Sequence, residues 1–179
     1  MLDEDTAWKC SLEEILAARD ARHEKQMQLL KAYPDKTLAC LTVVMPGERK
    51  CNKLTPVIGN EACRVIEDTF KDKLHIPELN TKNVSKTGFE AFFLVSLNAL
   101  EVKRQTVRIE DTHRLGRLFD IDVIGKDGIP ISRSEIGEKP RSCLLCDNEA
   151  RLCMRKHAHS YEELLSEIHR IVNEWQNLL

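Results

Sequence analysis

Residues 117–128 read RLFDIDVIGKDG, and their alternation of apolar and acidic side chains restricts how this chain can fold. Phe119, Ile121 and Val123 alternate with Asp120 and Asp122. Because successive side chains on a β-strand point to opposite faces, the apolar residues predict a buried face and the two acids share the other one. On such a strand the Cα atoms of the two aspartates lie roughly 6.5–7 Å apart.

Two carboxylates held side by side repel each other, and a half-buried carboxylate needs a partner. A divalent cation meets both needs. Mg²⁺ is usually bound by one or two protein carboxylates together with phosphate oxygens and water, as in many phosphoryl and nucleotidyl transferases. A D-x-D pair also occurs on solvated strand edges and in turns, so a surface role is the alternative for Asp120 and Asp122.

Basic residues surround the acid pair in the sequence. Arg117 is the best candidate for a phosphate contact, because a guanidinium matches phosphate oxygens in a bidentate manner. Gly116 allows close approach of the backbone to a ligand. Second-rank candidates for substrate binding are Arg133, Arg141 and Lys50. Acids for a metal beside arginines for phosphate oxygens have the composition that a triphosphate site needs.

Several further roles have two interpretations. His113 could orient a phosphate or accept a proton, or it could be a structural histidine. Arg19 and Arg22 share one helix face with Gln26, which is either a solvated face or an anion-binding stripe. A third carboxylate often completes a two-aspartate metal site, and the candidates for that role are Glu90 and Glu110.

The segment RSCLLCDNEARLCMRKHAH contains a cluster of potential metal ligands. Three thiolates and one imidazole can complete a tetrahedral Zn²⁺ site, and the candidate ligands are Cys143, Cys146, Cys153 and His159. His157 makes the fourth ligand ambiguous, and His159 is preferred. Three reduced thiols in a short helical hairpin are the alternative. The spacing does not match a standard zinc finger.

The chain alternates helical and strand-like segments, which predicts an α+β class with a small mixed or antiparallel sheet and helices packed on it. Ser11 and Ser160 begin capping boxes with Glu14 and Glu163, and the second box opens a C-terminal helix. The predicted order is helix 12–33, strand 37–45, helix 56–74, mostly loop 75–87, strand 92–97, helix or strand 99–110, strand 117–124, a hairpin return at 129–131 and a helix from 160.

Length and composition limit the remaining classes. The 179 residues predict a single domain, 1–179, with residues 141–179 as an appendage. A net charge of −2 without a dense basic block argues against a nucleic-acid partner. No apolar run approaches the ~20 residues that span a bilayer, and the acidic N-terminus lacks a signal core, so we expect a cytoplasmic protein with no membrane partner. Seven cysteines without an export signal make a disulfide framework improbable.

The motifs GRLFDIDVI, ISRSEIG and PRSCLLC, followed by a further Cys and a His, resemble the apo-citrate lyase phosphoribosyl-dephospho-CoA transferase family, also called holo-citrate lyase synthase. LAARDARHEKQ, MPGERK and KTGFEAFF are similar to other stretches of that family, so the resemblance covers nearly the whole chain. A nucleotidyltransferase-like core is one possible fold, although the Gly-Ser helix opening that usually precedes its acids is not evident.

The resemblance implies an enzyme that attaches a prosthetic group to the acyl carrier subunit of citrate lyase. A serine of the carrier attacks the α-phosphorus of 2′-(5″-triphosphoribosyl)-3′-dephospho-CoA, and diphosphate leaves. It also implies that Asp120 and Asp122 bind the Mg²⁺ that bridges the triphosphate. Two other hypotheses remain from the residues alone: a non-catalytic, zinc-stabilised binding protein, and a nucleotidyltransferase that acts on another triphosphate.

Overall fold

The computed structural model describes residues 9–75 and 82–178. Within these ranges the chain forms five α-helices and five β-strands. The helices are α1 (Leu12–Ala32), α2 (Leu54–Phe70), α3 (Ala99–Thr112), α4 (Ala150–Lys156) and α5 (Tyr161–Gln176). The strands are β1 (Thr37–Val43), β2 (Leu74–His75), β3 (Lys82–Ser85), β4 (Gly88–Val95) and β5 (Phe119–Ile124). One sheet with helices packed on it confirms the α+β class.

All strand pairings in the described ranges are antiparallel. β1 lies at the centre, between β4 and β5, and the short strands β2 and β3 both pair with the outer edge of β4. The registers place Glu90, Thr42 and Asp120 in one row across β4, β1 and β5. Asp122 lies in the next row, opposite Cys40.

One face of the sheet is closed by an apolar core. β5 contributes Phe119, Ile121 and Val123 to this core, as the alternation predicted. The helices α2, α3 and α5 cover it with residues at helical spacing, among them Ile58, Ala62, Ile66, Phe70, Val102, Ile109, Ile168 and Val172. Gly59 lets α2 approach β4 closely, because a Cβ at this position would lie 2.4 Å from the ring of Phe89.

The other face of the sheet is only partly covered. Leu29 and Leu30, near the end of α1, pack on Leu38, Phe92 and Leu94. Toward its beginning, α1 instead faces a cavity over the acids of β5. The capping box of Ser11 and Glu14 begins this helix as predicted, with both side-chain-to-backbone bonds present.

Several boundaries differ from the sequence predictions. Residues 82–85 form β3 although a loop was predicted, because pairing with β4 supplies hydrogen bonds that no local pattern reveals. Residues 76–81 of that predicted loop lie outside the described residues, as do residues 1–8 and Leu179. Residues 106–109 are helical, which resolves the choice between helix and strand.

The C-terminal part of the chain contributes to the principal core. Ile168 and Val172 of α5 are fully buried in the same apolar cluster as the sheet, although residues 141–179 were expected to be an appendage. Ser160 and Glu163 form the second predicted capping box. None of the helices in the described ranges combines the length and apolar character needed to cross a membrane.

Candidate active site and metal cluster

A cavity of about 770 Å³ lies between the first half of α1 and the open face of the sheet, and we call it the sheet cavity. Its volume suits a nucleotide-sized ligand. Basic side chains outnumber acidic ones in its walls, which favours a polyanionic ligand. The charged lining residues are Arg19, Arg22, Lys50, Lys103, Arg117, Arg133, Arg141, Arg151, Glu90, Glu110, Asp120, Asp122 and Glu149.

Asp120 and Asp122 both project from β5 into the sheet cavity. The Asp120 side chain is 51% exposed, and its two polar contacts are long. Its Oδ2 lies 3.4 Å from Thr42 Oγ1, and its Oδ1 lies 3.4 Å from Arg141 Nη1. Because both separations are at the long limit of hydrogen bonding, the carboxylate oxygens remain accessible to a ligand.

Asp122 is open to water from the cavity, yet protein atoms surround it on its other sides. Burial, followed by repulsion from Asp120, raises the pKa of Asp122 above its usual value. The ammonium of Lys103 acts in the opposite direction. Two acids with this mutual repulsion have the electrostatic character of a cation site.

The two arginines of the predicted stripe on α1 face the sheet cavity. Arg19 and Arg22 line it, and Arg22 Nη1 lies 3.8 Å from Glu90 Oε2. Lys50 adjoins them and donates from Nζ to the carbonyl oxygen of Met45 over 2.8 Å. Burial, and then the charge of Arg19, lower the pKa of Lys50. These closely spaced cations form a wall that an anion would stabilise.

Two arginines connect residues 141–143 to the beginning of β5. Arg117 Nη2 donates to the carbonyl oxygens of Ser142 and Cys143 over 2.6 and 2.7 Å. Arg141 Nη2 donates to the carbonyl oxygens of Gly116 and Arg117 over 3.2 and 2.9 Å. Both arginines line the sheet cavity, so the structure brings these candidates to the acids while using part of each guanidinium to hold the chain together.

Glu110 is buried, and both of its oxygens have protein partners. Oε1 accepts the backbone N–H of Ile121 over 2.9 Å, and Oε2 pairs with Arg133 Nη2 at 2.6 Å. Arg133 also reaches Asp111. Glu110 therefore stabilises the edge of β5 that faces away from β1, and its partners leave it poorly placed as the third metal ligand considered from the sequence.

Glu90, the other candidate for a third carboxylate, lies on the correct face but two strands away from β5. Neighbouring strands are about 4.8 Å apart, so the backbones of Glu90 and Asp120 are separated by roughly 10 Å. Glu90 also accepts from Asn83 Nδ2 over 3.3 Å and faces Arg22. These contacts suit a residue that orients Arg22.

His113 does not line the sheet cavity. Its ring stacks on Phe119, on the closed side of the sheet, with a centroid separation of 5.2 Å. Nε2 lies 3.2 Å from Glu61 Oε1, and Nδ1 accepts the backbone N–H of Leu115 over 3.1 Å. Burial lowers the pKa of His113. The geometry matches the structural interpretation of this histidine, and we leave it out of the proposed site.

Gly116 has a packing role that differs from the predicted approach to a ligand. A Cβ here would lie 2.5 Å from the carbonyl oxygen of Glu110 and 2.6 Å from that of Ile109. The glycine thus lets the turn before β5 pack against the end of α3. This turn carries His113 and Asp120 to different sides of the sheet.

Lys103 was not identified from the sequence, yet it lines the sheet cavity and is only 6% exposed. It lies on α3 seven residues before Glu110, so both charged residues share one helix face with Thr106 and Val107. A lysine and a glutamate within an otherwise buried helical stripe are unusual, because lysine and glutamate are rarely buried without a partner. Two charged residues on an otherwise buried helix face were the sequence signal that could have identified Lys103.

The predicted cysteine and histidine cluster is assembled in the structure. One ligand atom each from Cys143, Cys146, Cys153 and His159 lies within 4.8 Å of the others, so the group could hold a metal ion such as zinc. His159 belongs to this group, and His157 does not. The backbone N–H of Asn148, followed by His159, lowers the pKa of Cys146 to about 6.

Comparison with known proteins identifies the family of this chain. Residues 10–175 match the family model described as apo-citrate lyase phosphoribosyl-dephospho-CoA transferase. Proteins with that same name from Escherichia coli O139:H28 (strain E24377A / ETEC) and Escherichia coli O8 (strain IAI1) are each 34% identical over 165 residues, covering 92% of this chain and 89% of theirs. The chain belongs to the apo-citrate lyase phosphoribosyl-dephospho-CoA transferase family of enzymes.

Proposed function

We propose that this protein transfers the 2′-(5″-phosphoribosyl)-3′-dephospho-CoA group from its triphosphate donor to a serine of the citrate lyase acyl carrier subunit, with release of diphosphate. The observation that carries this proposal is the position of Asp120 and Asp122 on the open face of β5, opposite the basic wall of α1. The relatives' name, which gives a phosphoribosyl-dephospho-CoA group and apo-citrate lyase, supports the choice of substrates.

In this reaction the serine Oγ forms a bond to the α-phosphorus, and the bond from that phosphorus to the diphosphate oxygen breaks. The serine hydroxyl loses its proton, and diphosphate carries away the electron pair of the broken bond. The chain must therefore hold a donor with several negative charges in line with an incoming hydroxyl. Positioning and charge stabilisation dominate the catalysis of such transfers.

Asp120 and Asp122 are the residues that would hold Mg²⁺. They offer the hard oxygen donors that this ion prefers, and they share one strand face. Burial, and after it repulsion from Asp120, raises the pKa of Asp122. When bound there, Mg²⁺ would offset the charge of the triphosphate and of the leaving diphosphate.

The basic residues would bind the phosphate oxygens. Arg19, Arg22 and Lys50 face the acids from across the sheet cavity, and Lys103 lies behind Asp122. Arg141 reaches toward Asp120 from the cavity wall formed by residues 140–154. A donor phosphate between these groups would contact cations from several elements, which fixes its orientation as well as its charge.

The test measures the intact mass of apo acyl carrier subunit after incubation with this protein, the triphosphate donor and Mg²⁺. We expect a mass gain equal to the donor minus diphosphate. In the Asp120→Asn/Asp122→Asn variant the rate should fall by roughly 10³-fold or more, because removing one preorganised electrostatic group alone costs about 10²–10³-fold. Asp72→Asn, in the exposed turn after α2, is the matched control and should react like the wild type.

A folded wild-type protein that adds no mass to the carrier would refute the proposed substrates. Replacing the donor with ATP or another nucleoside triphosphate tests the remaining hypothesis of a nucleotidyltransferase with a different substrate. Membership in a transferase family argues against the non-catalytic binding protein. An Asp120→Asn/Asp122→Asn variant that retains full activity would show that the acids of β5 are not the catalytic site.

A further inference from the structure

Residues 141–159 form a wall of the sheet cavity but contain almost no apolar core. Only Cys143 and Cys153 are buried in this segment. α4 has seven residues, and its Leu152 and Met154 are 42% and 70% exposed. A segment this short and this poor in buried apolar side chains ordinarily needs a crosslink or a metal to hold one conformation. Its buried residues are two potential metal ligands.

The distances within the cluster fit a tetrahedral zinc site. Cys146 Sγ lies 3.5 Å from Cys153 Sγ and 3.4 Å from His159 Nε2. Around a tetrahedral Zn²⁺, ligand atoms at the usual bond lengths are about 3.8 Å apart for two sulfurs and about 3.5 Å apart for sulfur and nitrogen. Three thiolates with one imidazole select zinc over the hard cations Mg²⁺ and Ca²⁺.

The backbone around the cluster is shaped to deliver its fourth ligand. His157 adopts φ 47°, a left-handed conformation, and ends α4. Its backbone N–H and that of Ala158 donate back to the last turn of the helix, to the carbonyl oxygens of Met154 and Cys153. This reversal returns the chain so that His159 faces Cys146. His157 thus provides the turn, and His159 provides the ligand.

The cluster is also connected to the sheet cavity through the backbone. Cys143 contributes Sγ to the cluster while its carbonyl oxygen accepts from Arg117 Nη2 at 2.7 Å. Arg141, two residues earlier, donates to the turn before β5 and approaches Asp120. Cys153 lies on α4 between Arg151 and Met154, which both line the cavity. A change at the cluster would therefore move this wall.

We propose that Cys143, Cys146, Cys153 and His159 bind one structural Zn²⁺, which positions Arg117 and Arg141 at the sheet cavity. The zinc site stands independently of the enzymatic reaction. The positioning role rests on the proposed function, because it assumes that a polyphosphate binds in that cavity. Arg141 is linked to Cys143 by two peptide units, and Arg117 is linked to it by the hydrogen bond to its carbonyl oxygen, so a shift of Cys143 would displace both guanidinium groups.

The first experiment measures zinc in the purified full-length protein by plasma mass spectrometry. We expect one zinc per chain, and after Co²⁺ exchange we expect the visible bands of a tetrahedral site together with thiolate-to-cobalt charge transfer. His159→Ala should lose the metal, whereas His157→Asn should keep it, because asparagine tolerates the left-handed conformation. A zinc-free wild type, or a Cys146–Cys153 disulfide in its place, would overturn the proposal.

The second experiment measures the affinity of inorganic triphosphate with Mg²⁺ by calorimetry. His159→Ala should bind it roughly tenfold more weakly than the wild type, the effect of losing one well-placed charged hydrogen bond, while its far-ultraviolet circular dichroism stays native. His157→Asn should bind like the wild type.

The outcomes separate the two parts of the proposal. Equal triphosphate affinity in zinc-loaded wild type and zinc-free His159→Ala would refute the positioning role, although the zinc content would still establish the metal site. A zinc-loaded wild type that does not bind triphosphate at all would instead refute the polyphosphate site of the proposed function. If His159→Ala unfolds, partial removal of zinc from the wild type gives the same comparison, since triphosphate binding should then fall in proportion to zinc content.

Discussion

β5 has two faces with opposite properties. On the closed face Phe119, Ile121 and Val123 are at most 1% exposed and pack against helices. On the open face Asp120 and Asp122 meet a cavity lined by cations. One strand of six residues thus belongs to the core and to the candidate site at once. Because the core side holds the backbone, Asp120 can be positioned with only long contacts to Thr42 and Arg141 on the open side.

The difference between the faces shows how this fold keeps two like charges close together. Repulsion between Asp120 and Asp122 could be relieved by movement of the strand, but three other contacts restrain it. β1 pairs with one edge of β5, and the buried Glu110 accepts from Ile121 N–H at the other edge. Ile131 N–H also donates to the carbonyl oxygen of Val123. Packing on the closed face and hydrogen bonds at the two edges therefore hold β5 in place against the repulsion between the acids.

The largest expected contrast lies between adjacent residues. Phe119→Ala should lower the free energy of unfolding by about 3–5 kcal/mol, since it leaves a cavity in the core. Asp120→Ala should change it by less than about 0.5 kcal/mol, because its contacts are long and solvent-exposed. Urea denaturation measures both. Comparable losses at the two positions would contradict the division of the strand into a structural and a functional face.

If Phe119→Ala does not fold, Ile121→Val tests the same point with a smaller change. Its expected cost is about 1 kcal/mol, the usual effect of removing one buried methylene-sized group. A cost near zero would indicate that the closed face of β5 is less tightly packed than its burial implies.

Substitution at the edge of β5 should lower the free energy of unfolding by nearly as much. Glu110→Gln should destabilise the fold by about 2 kcal/mol, because it removes a buried charge that pairs with Arg133. Asp111→Asn is the matched control, since Asp111 pairs with the same arginine but is 46% exposed, and its cost should be below about 1 kcal/mol. Equal costs in chemical denaturation would show that Glu110 gains nothing from its burial.

The sequence predicted the parts of this arrangement that depend on local periodicity. Alternation in residues 119–123 was sufficient to assign both faces of β5, and capping boxes located the starts of α1 and α5. β3 was missed because its polar edge residues have no apolar period, and its hydrogen bonds come from β4. Local pattern carries no information about such a partner.

The site was less predictable because it is assembled from distant segments. His113 is close to Asp120 in sequence, yet the turn at Gly116 sends the two side chains to opposite sides of the sheet. Lys103 is distant in sequence and lines the cavity. Sequence proximity to the acids was therefore an incomplete guide, because it identified Arg117 but not Lys103 and included His113. A charged residue on a buried helix face is the signal that points to Lys103.

The cations that face the acids across the sheet cavity, Arg19, Arg22 and Lys50, offer a smaller test of the open face. Arg22→Gln should weaken the binding of triphosphate with Mg²⁺ by about tenfold, or about 1.4 kcal/mol, since one cation facing the acids is lost. Arg170→Gln is the matched control, because Arg170 is an exposed arginine on α5 that pairs with Glu167 and Glu174 outside the cavity. Calorimetry that gives both variants the same affinity would move the anion site away from α1.

The smallest expected effect is the pH dependence of Asp122→Asn. The raised pKa of Asp122 means that the folded state holds this proton more tightly than the unfolded state does. Between the ordinary value of 3.8 and the raised folded value, stability should therefore fall as pH rises, and the loss is complete above the folded pKa. The variant should thus gain stability at neutral pH, by less than about 1 kcal/mol because water in the open cavity screens the charge. Urea titrations along a pH series should show the gain disappearing on acidification, and a gain that grows in acid would contradict the sign.

Saturating Mg²⁺ sharpens the test, because an ion bound by both acids should stabilise the wild type more than the variant and so reverse the order of their stabilities at neutral pH.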